Sequence, residues 1–224
     1  MTISIAARTA DASQFGIAIA SSSPAVAARC AHARAHAGAV ATQNITDPAL
    51  GSRILDSLAE GTGVRAALDQ ALASTPFAAY RQLLVVARTG QPLVHSGAEA
   101  LGMVGSAIGA HAACAGNLLA HPDVPQSMLR AFEAADGAFG ERLLAALRAG
   151  VLSGGEAGPI HSAGLLVVRD LSWPIVDLRI DWSDIDPVGG LERLWALYAP
   201  QIEDYVRRAL DPASAPRFGV PGEP

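Results

Sequence analysis

The hydrophobic pattern begins with two short runs, Thr2–Arg8 and Phe15–Ser21, rich in Ile, Ala and Ser. The turn-like Thr9-Ala10-Asp11-Ala12-Ser13 separates them, which predicts an antiparallel hairpin. Folding about that turn sets Thr2 opposite the end of the second strand, near Ser21, Ser22 and Ser23. Residues 25–36 have no clean period. Their alanines and basic residues suit a helix, yet they join two expected strands, the next being residues 38–43.

Asp47-Pro48 opens a helix, with aspartate as cap and proline in the first turn. Leu50, Ile54, Leu55 and Leu58 follow at helical spacing until Gly61. A second helix is expected over residues 62–72, ending before Thr75-Pro76. Residues 81–88 and 92–96 read as a second hairpin about Thr89-Gly90. Residues 110–116 read as a strand ending at Asn117. Helices are expected over residues 123–135 and 138–152, with apolar positions at i, i+3 and i+4. The glycine-rich run 153–159 is a turn, since no GK[ST] follows and no helix begins there. Strands over residues 162–169 and 173–182 precede a last helix from Asp186-Pro187 to about Leu210. The proline-rich stretch from Asp211 is expected to be a disordered tail, leaving residues 1–210 as one domain.

Runs of strands alternating with helix pairs argue for an α+β class, and against the regular βαβ order of a Rossmann sheet. Half of the chain is hydrophobic and 17% is charged, a balance that favours a globular core over disorder. A net charge of −5 gives no electrostatic reason to bind nucleic acid or an anionic membrane. No apolar run approaches the roughly 20 residues of a membrane span. The start of the chain lacks a signal-peptide pattern, so a cytoplasmic location is expected. Alanine-rich helices and open strand edges point to a homo-oligomer, a dimer or higher.

All 16 basic residues are arginine. The absence of lysine removes Schiff-base chemistry, a Ser-Lys dyad, a P-loop lysine and a kinase lysine together. The two cysteines, Cys30 and Cys114, form no CxxC motif and read as reduced thiols in or near the core. Cys30, His32 and His36 could meet on one side of a helical turn, but no further ligand is adjacent. No metal or cofactor is expected.

Thr2 carries the sharpest chemistry. Removal of Met1 would leave a hydroxyl nucleophile beside its own α-amine, a known way to activate threonine. Chain-wide, Thr2–Arg8, Phe15–Ser21, Gly38-Ala39-Val40-Ala41-Thr42-Gln43, Ala115-Gly116-Asn117-Leu118-Leu119, Ser153-Gly154-Gly155-Glu156, Ser162–Val168 and Val176-Asp177-Leu178-Arg179-Ile180-Asp181 are similar to the family with the domain of unknown function 1028. That family resembles the N-terminal nucleophile hydrolases, whose fold is a four-layer αββα sandwich. The resemblance implies an amide hydrolase acting on a small molecule, with Thr2 as nucleophile and an acyl-enzyme intermediate. The chain departs from the family pattern in the polar residues of segment 27–36, in Ala115 or His161 where glutamine is usual, and in Glu156 where aspartate is usual.

Such a mechanism needs oxyanion donors, worth roughly 3 kcal/mol each. Ser21 and Asn117 are the leading candidates, followed by Gln43 and Asn44. Each of these has a second reading, as a strand-end or turn residue bonding local backbone. Asp177, Arg179 and Asp181 alternate with apolar neighbours and form either a structural ion-pair row or a pocket wall. Facing a pocket, Arg179 would suit a substrate carboxylate. Two rival readings stand beside the hydrolase. One is a non-catalytic protein of the same fold used for binding or assembly, and the other is a Cys30-based or metal-assisted hydrolase using His32 and His36.

Overall fold

The computed structural model describes residues 1–219 of the 224. Its strands are β1 (Thr2–Arg8), β2 (Phe15–Ser21), β3 (Ala31–Arg34), β4 (Gly38–Asn44), β5 (Arg81–Ala87), β6 (Leu93–Ser96), β7 (Gly105–Ile108), β8 (Ala112–Asn117), β9 (Ser162–Val168) and β10 (Val176–Ile180). Its helices are α1 (Val26–Cys30), α2 (Pro48–Ala59), α3 (Val64–Ala73), α4 (Val124–Ala134), α5 (Phe139–Leu152), α6 (Pro187–Tyr198) and α7 (Ile202–Leu210). The fold is α+β, with two sheets and several helices.

One sheet has six strands in the order β10-β9-β2-β1-β8-β7, and the other has four, β3-β4-β5-β6. Neighbouring strands are antiparallel throughout. β1 lies inside the larger sheet, pairing β2 on one side and β8 on the other. Alternation along each strand sends successive side chains to opposite faces. Ile3, Ile5 and Ala7 of β1 therefore pack with Met128, Phe132, Leu143 and Leu147 of α4 and α5. Ala6, Phe15, Ile17 and Ile19 point the other way, against Ala39, Ala41, Leu84 and Val86 of the second sheet. The outer face of that sheet, Val40, Leu83 and Val85, is covered by Leu50, Ile54 and Leu68 of α2 and α3.

The ambiguous segment 25–36 divides into both structures at once. α1 is a short helix that ends where β3 begins, and the alternation in β3 is uneven because it is an edge strand. The expected last helix is broken at the short 3-10 turn Ala199–Gln201, where Pro200 lacks the N–H a continuous helix requires. The sequence pattern also passes over β7, four residues too short and glycine-containing to stand out. Part of the expected tail touches the last helix. The Arg208 guanidinium donates to the carbonyls of Pro216 and Arg217 and lies 3.8 Å from the Phe218 ring centroid. Residues 220–224 of that tail lie outside the described residues.

Gly164 of β9 shows how closely α1 is held. A Cβ there would sit 2.3 Å from the Ala27 Cβ, and neither atom has a rotamer to yield. Gly164→Ala is expected to cost about 1–3 kcal/mol, as overpacking does. Urea unfolding measures it, and an unchanged midpoint would mean that α1 moves aside freely.

Candidate functional site

The inward faces of the two sheets change from apolar to polar at one end. Continuing the alternation of Ala6, Ile19, Ala115, Ala41 and Leu84 by two residues or more reaches Ser4 and Thr2, Ser21, Asn117, Gln43 and Gln82. All six are buried, with Thr2 5% exposed. Buried polar groups without water must bond one another.

Gln82 organises them. Its Nε2 donates to the Gly116 carbonyl at 3.1 Å and to Ser96 Oγ at 2.9 Å. A carbonyl can only accept, so this bond fixes which end of the Gln82 amide is nitrogen. Its Oε1 then accepts from Gln43 Nε2 at 2.7 Å and from Asn117 Nδ2 at 3.1 Å. Gln43 Oε1 in turn accepts from Ser4 Oγ at 2.6 Å. The same logic orients Asn117, whose Oδ1 points away from Gln82 and is buried without a protein partner. Both ends of Gln43 are thus engaged, while Asn117 keeps one free acceptor.

Thr2 stands beside this chain. Its backbone pairs with Asn117 across the β1–β8 ladder, and its Oγ1 lies 3.4 Å from Ser21 Oγ on the β2 side. Both hydroxyls donate to the Met1 carbonyl. Ser21 Oγ also accepts the Ser23 N–H at 3.1 Å. With Met1 in place, the two hydroxyls are engaged by the residue that precedes them.

Asn44 has a different task. It sits at φ 74, a left-handed conformation that asparagine tolerates. Its amide bridges the Tyr80 carbonyl at 2.6 Å and the Leu101 N–H at 3.0 Å. Leu118, at φ 51, receives the same segment through its N–H to the Leu101 carbonyl. A positive φ at leucine costs of order 1–3 kcal/mol and persists only where neighbours enforce it. Here Asn44 and Leu118 together fasten the loop before β7 over the ends of β4 and β8.

Other sequence candidates lie elsewhere. Asp177 and Arg179 are on β10, the sheet edge, separated from β1 by β9 and β2, a span of about 14 Å. Both are exposed, and Arg179 faces Asp181 at 3.8 Å, so the structure does not bring them to Thr2. Cys30 packs between the sheets, whereas the His32 ring lies against Gly51 of α2 and His36 occupies the exposed β3–β4 turn. The three fall on different elements, the end of α1, β3 and the β3–β4 turn, so no helical turn gathers them. Among the described residues no group of three or more His, Cys, Asp or Glu side chains is arranged to hold a metal ion.

Two further residues of this site were not among the sequence candidates. Gln82 interrupts an apolar strand, and its parity with Leu84 and Val86 was the available signal. Glu156 is hidden in the glycine-rich turn, where an isolated bridge to Leu119 holds it beside β8. It is 5% exposed. Its Oε2 accepts the Ser22 N–H at 3.1 Å, while Oε1 is buried without a protein partner. Burial pushes its carboxyl up to about 7, against the opposing pull of the positively charged amino terminus and of Ser22. The same turn lines a cavity of about 360 Å³, with Arg148, Asp184 and Asp186 on its other walls.

The raised carboxyl has a consequence for stability. Because the folded protein binds this proton more tightly than the unfolded chain, its contribution is full below about pH 4.5 and is lost as pH rises through about 7. The loss is at most about 3 kcal/mol. Glu156→Gln is expected to flatten the pH dependence between those limits relative to wild type. Urea midpoints across the range test this, and parallel curves for the two proteins would refute it.

The family model described as "Family of unknown function (DUF1028)" matches residues 2–191. A crystal structure of a DUF1028 protein from Silicibacter pomeroyi is similar at 31% identity and a TM-score of 0.82, over 91% of this chain and 94% of that one. Anbu (ancestral beta-subunit) from Yersinia bercovieri is a weaker structural match, at 12% identity and a TM-score of 0.41, over 91% of this chain and 97% of that one. No curated protein matches the chain. With a family model spanning most of its length and a solved relative nearly co-extensive with it, the chain belongs to the DUF1028 family.

Proposed function

We propose that this protein hydrolyses an amide bond of a small molecule through Thr2, once Met1 has been removed. The observation that carries this reading is the placement of Thr2. It is buried at the start of an interior strand, with Ser21 Oγ on one side and Asn117 on the other. The succession of a helix pair, the four-stranded sheet, the six-stranded sheet and a second set of helices supports a four-layer αββα sandwich of the N-terminal nucleophile hydrolase type.

In this mechanism the freed α-amine takes the Thr2 hydroxyl proton, and Oγ1 attacks the carbonyl carbon of the substrate. The Ser21 hydroxyl, released from the Met1 carbonyl and still steadied by the Ser23 N–H, donates to the developing oxyanion. Asn117 gives one N–H of its Nδ2 to Gln82 and offers an acceptor at Oδ1. That Oδ1 is suited to an N–H of the substrate amide, beside the oxyanion donation expected of the second Nδ2 hydrogen. The C–N bond then breaks, the leaving nitrogen receives the proton held by the α-amine, and water hydrolyses the Thr2 ester.

The test has two parts. Intact mass of the native protein is expected to lack Met1. Purified protein offered a panel of small amides is expected to release ammonia or amine, and Thr2→Ala to reduce that rate by at least ~10³-fold while leaving the fold unchanged. A retained Met1, or turnover that survives Thr2→Ala, would overturn the proposal. Loss of turnover on chelation or thiol alkylation would favour the metal-assisted or Cys30-based alternative.

A further inference from the structure

Glu156 is the one buried carboxylate near Thr2 that this mechanism leaves without a task. The strand register indicates where it stands. Pairing of Ile3 with Ala20 and Ser4 with Ile19, continued outward, sets Thr2 across from Ser21 and Met1 across from Ser22. Glu156 Oε2 is bonded to the Ser22 N–H, so its carboxylate lies at the level of Met1. The nitrogen joining Met1 to Thr2 becomes the α-amine when Met1 leaves. On the other flank, Leu119 of the Leu119–Glu156 bridge lies two residues beyond Asn117, the partner of Thr2.

We infer that Glu156 is a positioning residue for the released amino group of Thr2, its free Oε1 accepting an N–H of that group. The inference rests on Thr2 being the released N-terminal nucleophile. An α-ammonium supplies three donors, and Oε1 is a buried acceptor that lacks one. The bond would turn the amine toward the Thr2 hydroxyl and stabilise its charged form between proton transfers.

Other charges do not supply that partner. Arg148 lines the neighbouring cavity but is bonded to Glu192 and Asp186. Asp184 shares that cavity and approaches His161, itself stacked on Trp182. His121 flanks Gly154 of the turn. Among the described residues, the nearby charge that acts on Glu156 is the amino group of Met1.

The lack of lysine makes a direct test possible, because the amino terminus is the only amine in the chain. Reductive methylation of the processed protein with ¹³C-formaldehyde would place one NMR-visible label there. In wild type, the methyl signal is expected to titrate in two steps, one its own and one at lower pH from Glu156. In Glu156→Gln the lower step should vanish and the amine pKa should fall by about one unit or more. Glu156→Asp should keep two steps. Wild type alone decides if Glu156→Gln does not fold: a single step overturns the inference, as does an amine pKa unchanged in Glu156→Gln. Intact mass separates the two levels, since a retained Met1 sinks the proposed function together with this inference. A freed Thr2 with a single-step titration sinks the inference alone.

Discussion

The bond from Gln82 Nε2 to the Gly116 carbonyl is the constraint on which the polar end of this fold depends. It crosses from one sheet to the other and joins an amide that can turn to a carbonyl that cannot. From that one fixed direction follow the orientations of Gln43, Asn117 and Ser4. A buried network of this kind is stable only when its members are satisfied, because each lost partner leaves a desolvated group behind. Asn117 Oδ1 and Glu156 Oε1 are left without a protein partner at this end of the fold.

The two ends of the sandwich are built on different principles. Toward the middle, Ala, Ile, Leu and Val interdigitate, and alanine lets the sheets approach closely. At the Thr2 end the same inward positions carry hydroxyls and amides, so shape is set by directional bonds. Directional bonding holds hydroxyls at defined distances, which packing alone does less well. The clamp at Asn44 and Leu118 closes this end with a loop that strand pairing does not hold.

Much of this was legible in the chain, and for identifiable reasons. The two short runs Thr2–Arg8 and Phe15–Ser21 about a turn-like segment are enough to predict the hairpin and to set Ser21 beside Thr2. The apolar period of α2 and its Asp47 cap are equally local. Contacts between sheets are not. Asn117 could be read as a strand end, but its bond to Gln82 depends on how two sheets stack, which no local pattern encodes. Glu156 was obscured because a glycine-rich turn signals only its own geometry, not the strand end against which it folds. Asp177 and Arg179 show the opposite problem: their alternation is real, but it belongs to an exposed edge.

The interior position of β1 bears on how the chain can be made and handled. β1 is paired on one side with β8, whose residues come more than a hundred positions later. Until β8 is synthesised, the leading strand has only its hairpin partner, and such long-range pairing is slow to form. Any sequence fused ahead of Met1 would keep the Met1 carbonyl on the Thr2 and Ser21 hydroxyls. A purification tag belongs at the other terminus, where Arg208 and Phe218 lie on the surface far along the chain from the ladder.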